Sequence, residues 1–374
     1  MKVGILGLPN VGKSTLFNAL TRTRKAAACN YPFCTIEPNV GIVQVPDCRL
    51  EFLSALAHSA TIIPAAIEFV DIAGLVAGAS KGEGLGNRFL AHVREMDVLV
   101  HVVRCFAEGD VIHCSGSVDA LRDLETVQTE LLLADIGSLE GQLERLRRRA
   151  KGGERDVMRT CALVERLIAH LSRGEAALQL PLEDGEKELL PSLCLLTSKP
   201  VLYACNVAED ELADAGKRNA EVQAVQNHVA AGHPPSAVCT VSARLEEELG
   251  DLEPDEAGQL LSDLGVRDSG VGELIRRSYE LLQLASFFTA GEKETRAWTF
   301  RRGMLAPACA GVIHGDFEKG FIRAEVVSCD DLRRCGSMAS ARAAGRYRLE
   351  GRDYQMQDGD VVLFRFSGPS PAPR

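Results

Sequence analysis

Near the amino terminus, Gly7-Leu8-Pro9-Asn10-Val11-Gly12-Lys13-Ser14-Thr15 sets two glycines, a lysine and a hydroxyl pair at the spacing of a phosphate-binding loop. The glycines let backbone N–H groups turn inward around an anion at a helix N-terminus. Lys13 supplies a cation for the β- and γ-phosphates, and the Ser14 hydroxyl a ligand for Mg²⁺. Lys2-Val3-Gly4-Ile5-Leu6 reads as a buried strand, while Thr15-Leu16-Phe17-Asn18-Ala19-Leu20 opens an amphipathic helix. That is the strand–loop–helix context the motif requires, so Asn10, Val11, Gly12, Lys13, Ser14 and Thr15 are assigned to a bound nucleoside triphosphate.

Two further groups belong to the same chemistry. Asp71 ends a strand over residues 66–70 and is placed to support Mg²⁺ through water, and Gly74 offers a backbone N–H to the γ-phosphate. Thr35, in a loop bounded by Pro32 and Pro38, is positioned to close on the metal only while the γ-phosphate is present. Where most switch GTPases carry a water-orienting glutamine, this chain has Leu75, which forms no hydrogen bond through its side chain. Hydrolysis must recruit a polar group from elsewhere.

The base-reading stretch follows a buried strand at residues 200–205. GTPases use Asn-Lys-x-Asp here, the aspartate accepting from guanine N1–H and the 2-amino group. This chain has Asn206-Val207-Ala208-Glu209, with the lysine lost and the acid one methylene longer, so the guanine fork is out of register. Asn206 keeps an amide suited to the adenine N7 and 6-amino edge, Val207 an apolar surface, and the Ser242-Ala243 loop sits where such folds close over the base. The expectation is ATP.

The elements that must position these residues follow from periodicity. Strands are expected at residues 40–45 and 98–103, and leucines at helical spacing from Leu121 to Leu146 and from Val157 to Leu171 predict an antiparallel helical hairpin, broken at Lys151-Gly152-Gly153. One apolar stripe per helix implies a pair that mainly buries itself. Arg145, Arg147, Arg148, Arg149 and Lys151 form a basic cluster near its tip, either a solvated face or a contact for RNA or another partner. Beyond a helix near residue 271, strands at 295–300, 321–327 and 361–366 with a helix at 306–314 make a small mixed module.

Taken together, Asn10-Val11-Gly12-Lys13-Ser14-Thr15, Phe33-Cys34-Thr35-Ile36-Glu37-Pro38-Asn39, Asp71-Ile72-Ala73-Gly74-Leu75-Val76 and the glycine-rich run 78–87 resemble the Obg-like ATPase, or YchF, family over nearly the whole chain. The resemblance implies an α/β fold: a P-loop NTPase G-type domain with an inserted antiparallel helical hairpin and a C-terminal β-grasp (TGS) domain. The corresponding boundaries are 1–120 and 195–277 for the nucleotide domain, 121–194 for the insert, 280–367 for the TGS domain and 368–374 for a tail. It implies an ATP-hydrolysing switch, a preference for ATP at an Asn-x-x-Glu motif, and ribosome association through the insert and TGS domain. It also makes His113 the candidate water-orienting group, beside Lys13 and Gly74 as catalytic residues. Asn10 has two readings: a ligand for K⁺, as in potassium-stimulated relatives, or a turn-stabilising side chain.

Bulk properties narrow the remainder. The 374 residues carry a net charge of −10, which argues against wholesale electrostatic binding to nucleic acid or anionic membrane. The 12 cysteines show no metal-binding spacing and read as reduced thiols. With a phosphate loop beginning at residue 7 and no apolar run of bilayer length, a cytoplasmic monomer with no membrane partner is expected. The alternatives are an Obg-type GTPase with relaxed base specificity and a nucleotide-gated scaffold that barely hydrolyses.

Overall fold

The computed structural model describes residues 1–22, 39–72, 85–106, 117–150, 154–232, 236–266 and 268–367. Thr35, Gly74, Leu75 and His113 therefore lie outside the described residues, as does Lys151 at the break between the insert helices. Contacts divide the chain into two compact units, Met1–Val43 with Glu68–Leu281 and Gln44–Ile67 with Leu282–Arg374.

In chain order the elements are β1 (Lys2–Leu6), α1 (Lys13–Arg22), β2 (Val40–Gln44), α2 (Arg49–Ala57), β3 (Thr61–Ile63), β4 (Ala66–Asp71), α3 (Leu85–Glu95), β5 (Val98–Arg104), α4 (Ala120–Ala150), α5 (Arg155–Leu171), β6 (Val201–Asn206), α6 (Ala220–Ala231), β7 (Ser236–Val241), α7 (Ala243–Leu249), α8 (Pro254–Asp263) and α9 (Gly270–Leu281). There follow β8 (Leu284–Ala290), β9 (Glu294–Arg301), α10 (Ala306–Ile313), α11 (Gly315–Lys319), β10 (Phe321–Ser328), α12 (Cys329–Cys335), α13 (Met338–Ala343), β11 (Arg348–Glu350) and β12 (Asp360–Phe366).

The first unit is built on a sheet in the order β2-β4-β1-β5-β6-β7, with β4, β1, β5, β6 and β7 mutually parallel. Strand β5 is buried along its whole length, as a central parallel strand covered on both faces must be. Because β1 has β4 on one side and β5 on the other, the chain order switches there. In such sheets ligands bind beyond the carboxyl ends of the strands, and the Gly7–Gly12 loop starts at that end of β1.

Helices α4 and α5 form the expected hairpin, packing Leu139, Leu143, Leu163, Val164 and Leu167 into a shared cluster. The idea that the pair mainly buries itself needs correction for α4. Its first turns carry Ala120 and Leu124 into the cluster around Val103, Cys105, Val222 and Val225, so one continuous stripe serves two cores. Midway along α4, buried Asp135 accepts hydrogen bonds from Leu196 N (2.9 Å), Thr197 N (2.9 Å) and Thr197 Oγ1 (2.7 Å), fastening the insert to the segment that leads into β6. Burial raises the pKa of this carboxyl, and those three donors pull it back.

The second unit is a sheet in the order β11-β10-β12-β8-β9-β3, with α10 over a core that includes Phe287, Phe300, Phe321 and Phe364. The sequence reading changes here at two places. Residues 284–290, for which that reading named no element, are strand β8, since their apolar side chains are covered on both faces of the sheet. And residues 44–67, expected within the nucleotide domain, belong to this unit: β3 pairs parallel with β9, and Arg49 on α2 is held by Asp47 (2.7 Å) and Asp358 (2.9 Å) while lying 4.8 Å from the Phe288 ring centroid. Adding β3 covers an edge strand that would otherwise expose unpaired backbone groups. Among the described residues no helix is long and apolar enough to cross a membrane.

Helix α7 is joined to α9 by Glu246, a buried carboxylate that accepts from Val271 N at 3.1 Å. Burial pushes its pKa up to about 7, against the pull of donors at Val271, Gly270 and Ser269. The folded state thus binds this proton more tightly than the unfolded chain, so its contribution to stability is full below pH 4.5 and is lost as pH rises to about 7. Chemical denaturation across that window should show Glu246→Gln removing a decline of up to about 3 kcal/mol; an unchanged slope would assign the pH dependence to other groups.

Candidate functional site

The phosphate loop is shaped by backbone geometry that only its own residues tolerate. Asn10 and Gly12 have φ of 62° and 90°, in the left-handed region, and Leu16 N donates to Gly12 O at 2.9 Å to start α1. A Cβ on Gly7 would stand 2.7 Å from Val102 O, and one on Gly12 would run into the Asn206 amide. The second glycine is therefore required both by its φ and by the neighbour against which it packs.

That neighbour is the centre of the site. Asn206, buried at the end of β6, donates from Nδ2 to Val11 O (2.9 Å) and accepts at Oδ1 from Ala243 N (2.9 Å). One Nδ2–H and the Oδ1 of its amide thus join the phosphate loop to the Ser242-Ala243 loop. The same side chain also lines a cavity, and the second Nδ2–H is the group that the expected adenine contact would use. Its neighbour Val207 donates its N–H to Val241 O (2.9 Å) and is 2 % exposed, so it forms an apolar wall. Ser242 caps α7 by accepting from Leu245 N, which sets the turn that aims Ala243 N at Asn206.

On the phosphate side, Lys13 Nζ donates to Ile72 O (2.9 Å) and lies 3.8 Å from Asp71 Oδ1. Burial lowers the lysine's pKa and Asp71 raises it back. Asp71 shows the mirror image: burial raises its pKa, while Lys13 and a hydrogen bond from Ser14 lower it. Its Oδ1 is buried without a hydrogen-bond partner among the described residues. A carboxylate oxygen left with an unmet acceptor, beside a hydroxyl that already touches the same carboxylate, is an oxygen donor set that fits a hard divalent cation such as Mg²⁺.

Asn10, Gly12, Thr15, Asn206, Val207, Glu209, Ser242 and Ala243 line one cavity of about 600 Å³, large enough for a nucleotide. Phe106, Asp210 and Arg244 line it too, and sequence reasoning passed over all three. Phe106 stands two residues past the end of β5, against buried Arg104, whose guanidinium carbon is 4.5 Å from the ring centroid. An aromatic residue at the carboxyl end of a central parallel strand was the available signal; for Arg244 it was the position after Ser242-Ala243.

A family model described as 50S ribosome-binding GTPase matches residues 2–171, and a YchF GTPase C-terminal model, described as a protein of unknown function, matches residues 284–367. The ribosome-binding ATPase YchF of Bacillus subtilis (strain 168) is 48 % identical over 98 % of this chain and 99 % of its own length. Obg-like ATPase 1 of Xenopus laevis is 41 % identical over 99 % of this chain and 93 % of its own. Among solved structures, the YchF GTPase of Schizosaccharomyces pombe superposes with a TM-score of 0.87 at 36 % identity, covering 98 % of this chain and 97 % of that one.

Replacing Asn206 by Ala strands Val11 O and Ala243 N together. Thermal denaturation should report a loss of about 1–3 kcal/mol, and titration should report weaker binding of ATP and GTP by a similar factor. A selective loss of ATP would assign the amide to base reading as well.

Proposed function

The chain belongs to the Obg-like ATPase (YchF) family, and from that premise we propose that it is a Mg²⁺-dependent molecular switch that hydrolyses ATP to ADP and phosphate and associates with the ribosome. The observation that carries this reading is the convergence of Lys13 and Ser14 on Asp71, whose buried Oδ1 accepts no hydrogen bond among the described residues, at a loop that also borders a nucleotide-sized cavity. The supposed partner follows from relatives named ribosome-binding ATPases.

Residue by residue, the loop from Asn10 to Thr15 holds the phosphates with its backbone N–H groups, and Lys13 exchanges Ile72 O for phosphate oxygen. Ser14 and Asp71 would hold Mg²⁺, Asp71 through water, with Thr35 assigned to the same set from the sequence. The metal, when bound, offsets the charge that develops on the transferred phosphoryl group. Val207 and Phe106 wall the base cavity, and Asn206 keeps its two sides in register. Gly74 as an N–H donor to the γ-phosphate, and His113 as the group that orients water in place of glutamine, rest on the family resemblance. K⁺ would act through Asn10, which borders the cavity.

Lys13→Ala removes the cation that meets the phosphates. Phosphate release from ATP should fall at least about 100-fold, and chelation of Mg²⁺ should abolish it in the unaltered protein. Persistence of turnover after either change would leave the scaffold reading in its place. His113→Ala tests the water-orienting role separately: kcat should drop roughly 100-fold with ATP affinity kept, and an unchanged kcat would take His113 out of the mechanism. Cosedimentation with ribosomes in ATP and in ADP should differ if the switch governs that partner.

A further inference from the structure

Resting on the ATP reading above, we propose that Arg244 is a specificity-determining residue of the base cavity, holding the Glu209 carboxylate so that it does not serve as an acceptor for guanine. Glu209 stands where guanine-reading enzymes place their aspartate. The loss of register through one extra methylene is a weak barrier, because a flexible glutamate can retract. The structure supplies a second barrier. Arg244 Nε lies 3.4 Å from Glu209 Oε1, and its own position is steadied by Glu248 one turn along α7, at 3.5 Å.

The pocket's other polar groups make this pair decisive. The Asn206 amide gives one N–H to Val11 O and accepts from Ala243 N, and the N–H of Val207 is taken by Val241 O. Ala208 N donates to Glu211 Oε2 at 3.2 Å. The charged side chains that line the cavity are those of Glu209, Asp210 and Arg244. Guanine presents two adjacent donors, N1–H and the 2-amino group, that call for a free carboxylate; adenine presents a lone pair at N1, which a free carboxylate repels. A guanidinium bound to Glu209 works against the first base and for the second. Arg244 is well exposed, so the pair contributes little to folding. Its effect is on choice between ligands, where charge and acceptor geometry count directly.

The test is direct titration of the full chain with Mg-ATP and Mg-GTP analogues that resist hydrolysis, for the unaltered protein and for Arg244→Ala, Glu209→Gln, Asp210→Asn and the pairwise combinations. Arg244→Ala should lower the ratio of Kd for GTP to Kd for ATP roughly tenfold. Arg244→Lys should keep part of that ratio. In the Glu209→Gln background the Arg244→Ala effect should vanish, because the carboxylate it would free is gone; in the Asp210→Asn background it should persist. Raising ionic strength should narrow the preference of the unaltered protein, as expected of an exposed ion pair. An unchanged ratio in Arg244→Ala overturns the assignment, and so does an effect that survives Glu209→Gln. If the unaltered protein takes GTP as tightly as ATP, the functional reading falls, and this inference with it.

Discussion

One side-chain amide holds the nucleotide site together. Asn206 bonds at both ends, to Val11 O in the phosphate loop and to Ala243 N in the loop after β7, and it fills the space that a side chain at Gly12 would need. Three segments far apart in the chain are thereby held at the carboxyl edge of one parallel sheet. A buried amide with both ends paired resists displacement because breaking either bond strands a desolvated partner. The glycine of the phosphate loop and the asparagine of the base loop are thus two halves of a single packing constraint.

Electrostatics on the phosphate side complement this rigidity. Lys13 and Asp71 each pay a desolvation penalty, and each reduces the other's. Among the described residues the arrangement leaves one carboxylate oxygen without a hydrogen bond and the lysine held by the Ile72 carbonyl and the Asp71 carboxylate. Such groups can exchange a modest internal contact for a stronger one to phosphate or metal, which suits a site that must bind, react and release. Asp135 makes the contrast: its carboxylate is met by three donors and serves only to fasten the insert.

The path of the chain adds a consequence for a switch. Between β2 and β4 it leaves the nucleotide unit, contributes α2 and β3 to the second sheet, and returns along the strand that ends at Asp71. The segment before β2 contains Thr35. Thr35 and Asp71, two of the three residues proposed to hold Mg²⁺, are therefore joined covalently through short lengths of chain to a segment that is packed into the other unit.

The chemistry was legible from local sequence because its parts are local: a phosphate loop is defined by glycine conformations and side-chain types at consecutive positions, and the strand before it and the helix after it announce themselves by apolar periodicity. The loss of the guanine fork was legible for the same reason, at Val207 and Glu209. What sequence could not supply was the direction of the Asn206 amide, which is decided by Val11 and Ala243 across two strand ends. Nor could it supply the Arg244–Glu209 pair, or the departure of residues 44–67 to the second sheet. Those depend on which surfaces meet once the sheets close, since a strand as short as Thr61–Ile63 carries no periodicity of its own and takes its place from the edge of β9.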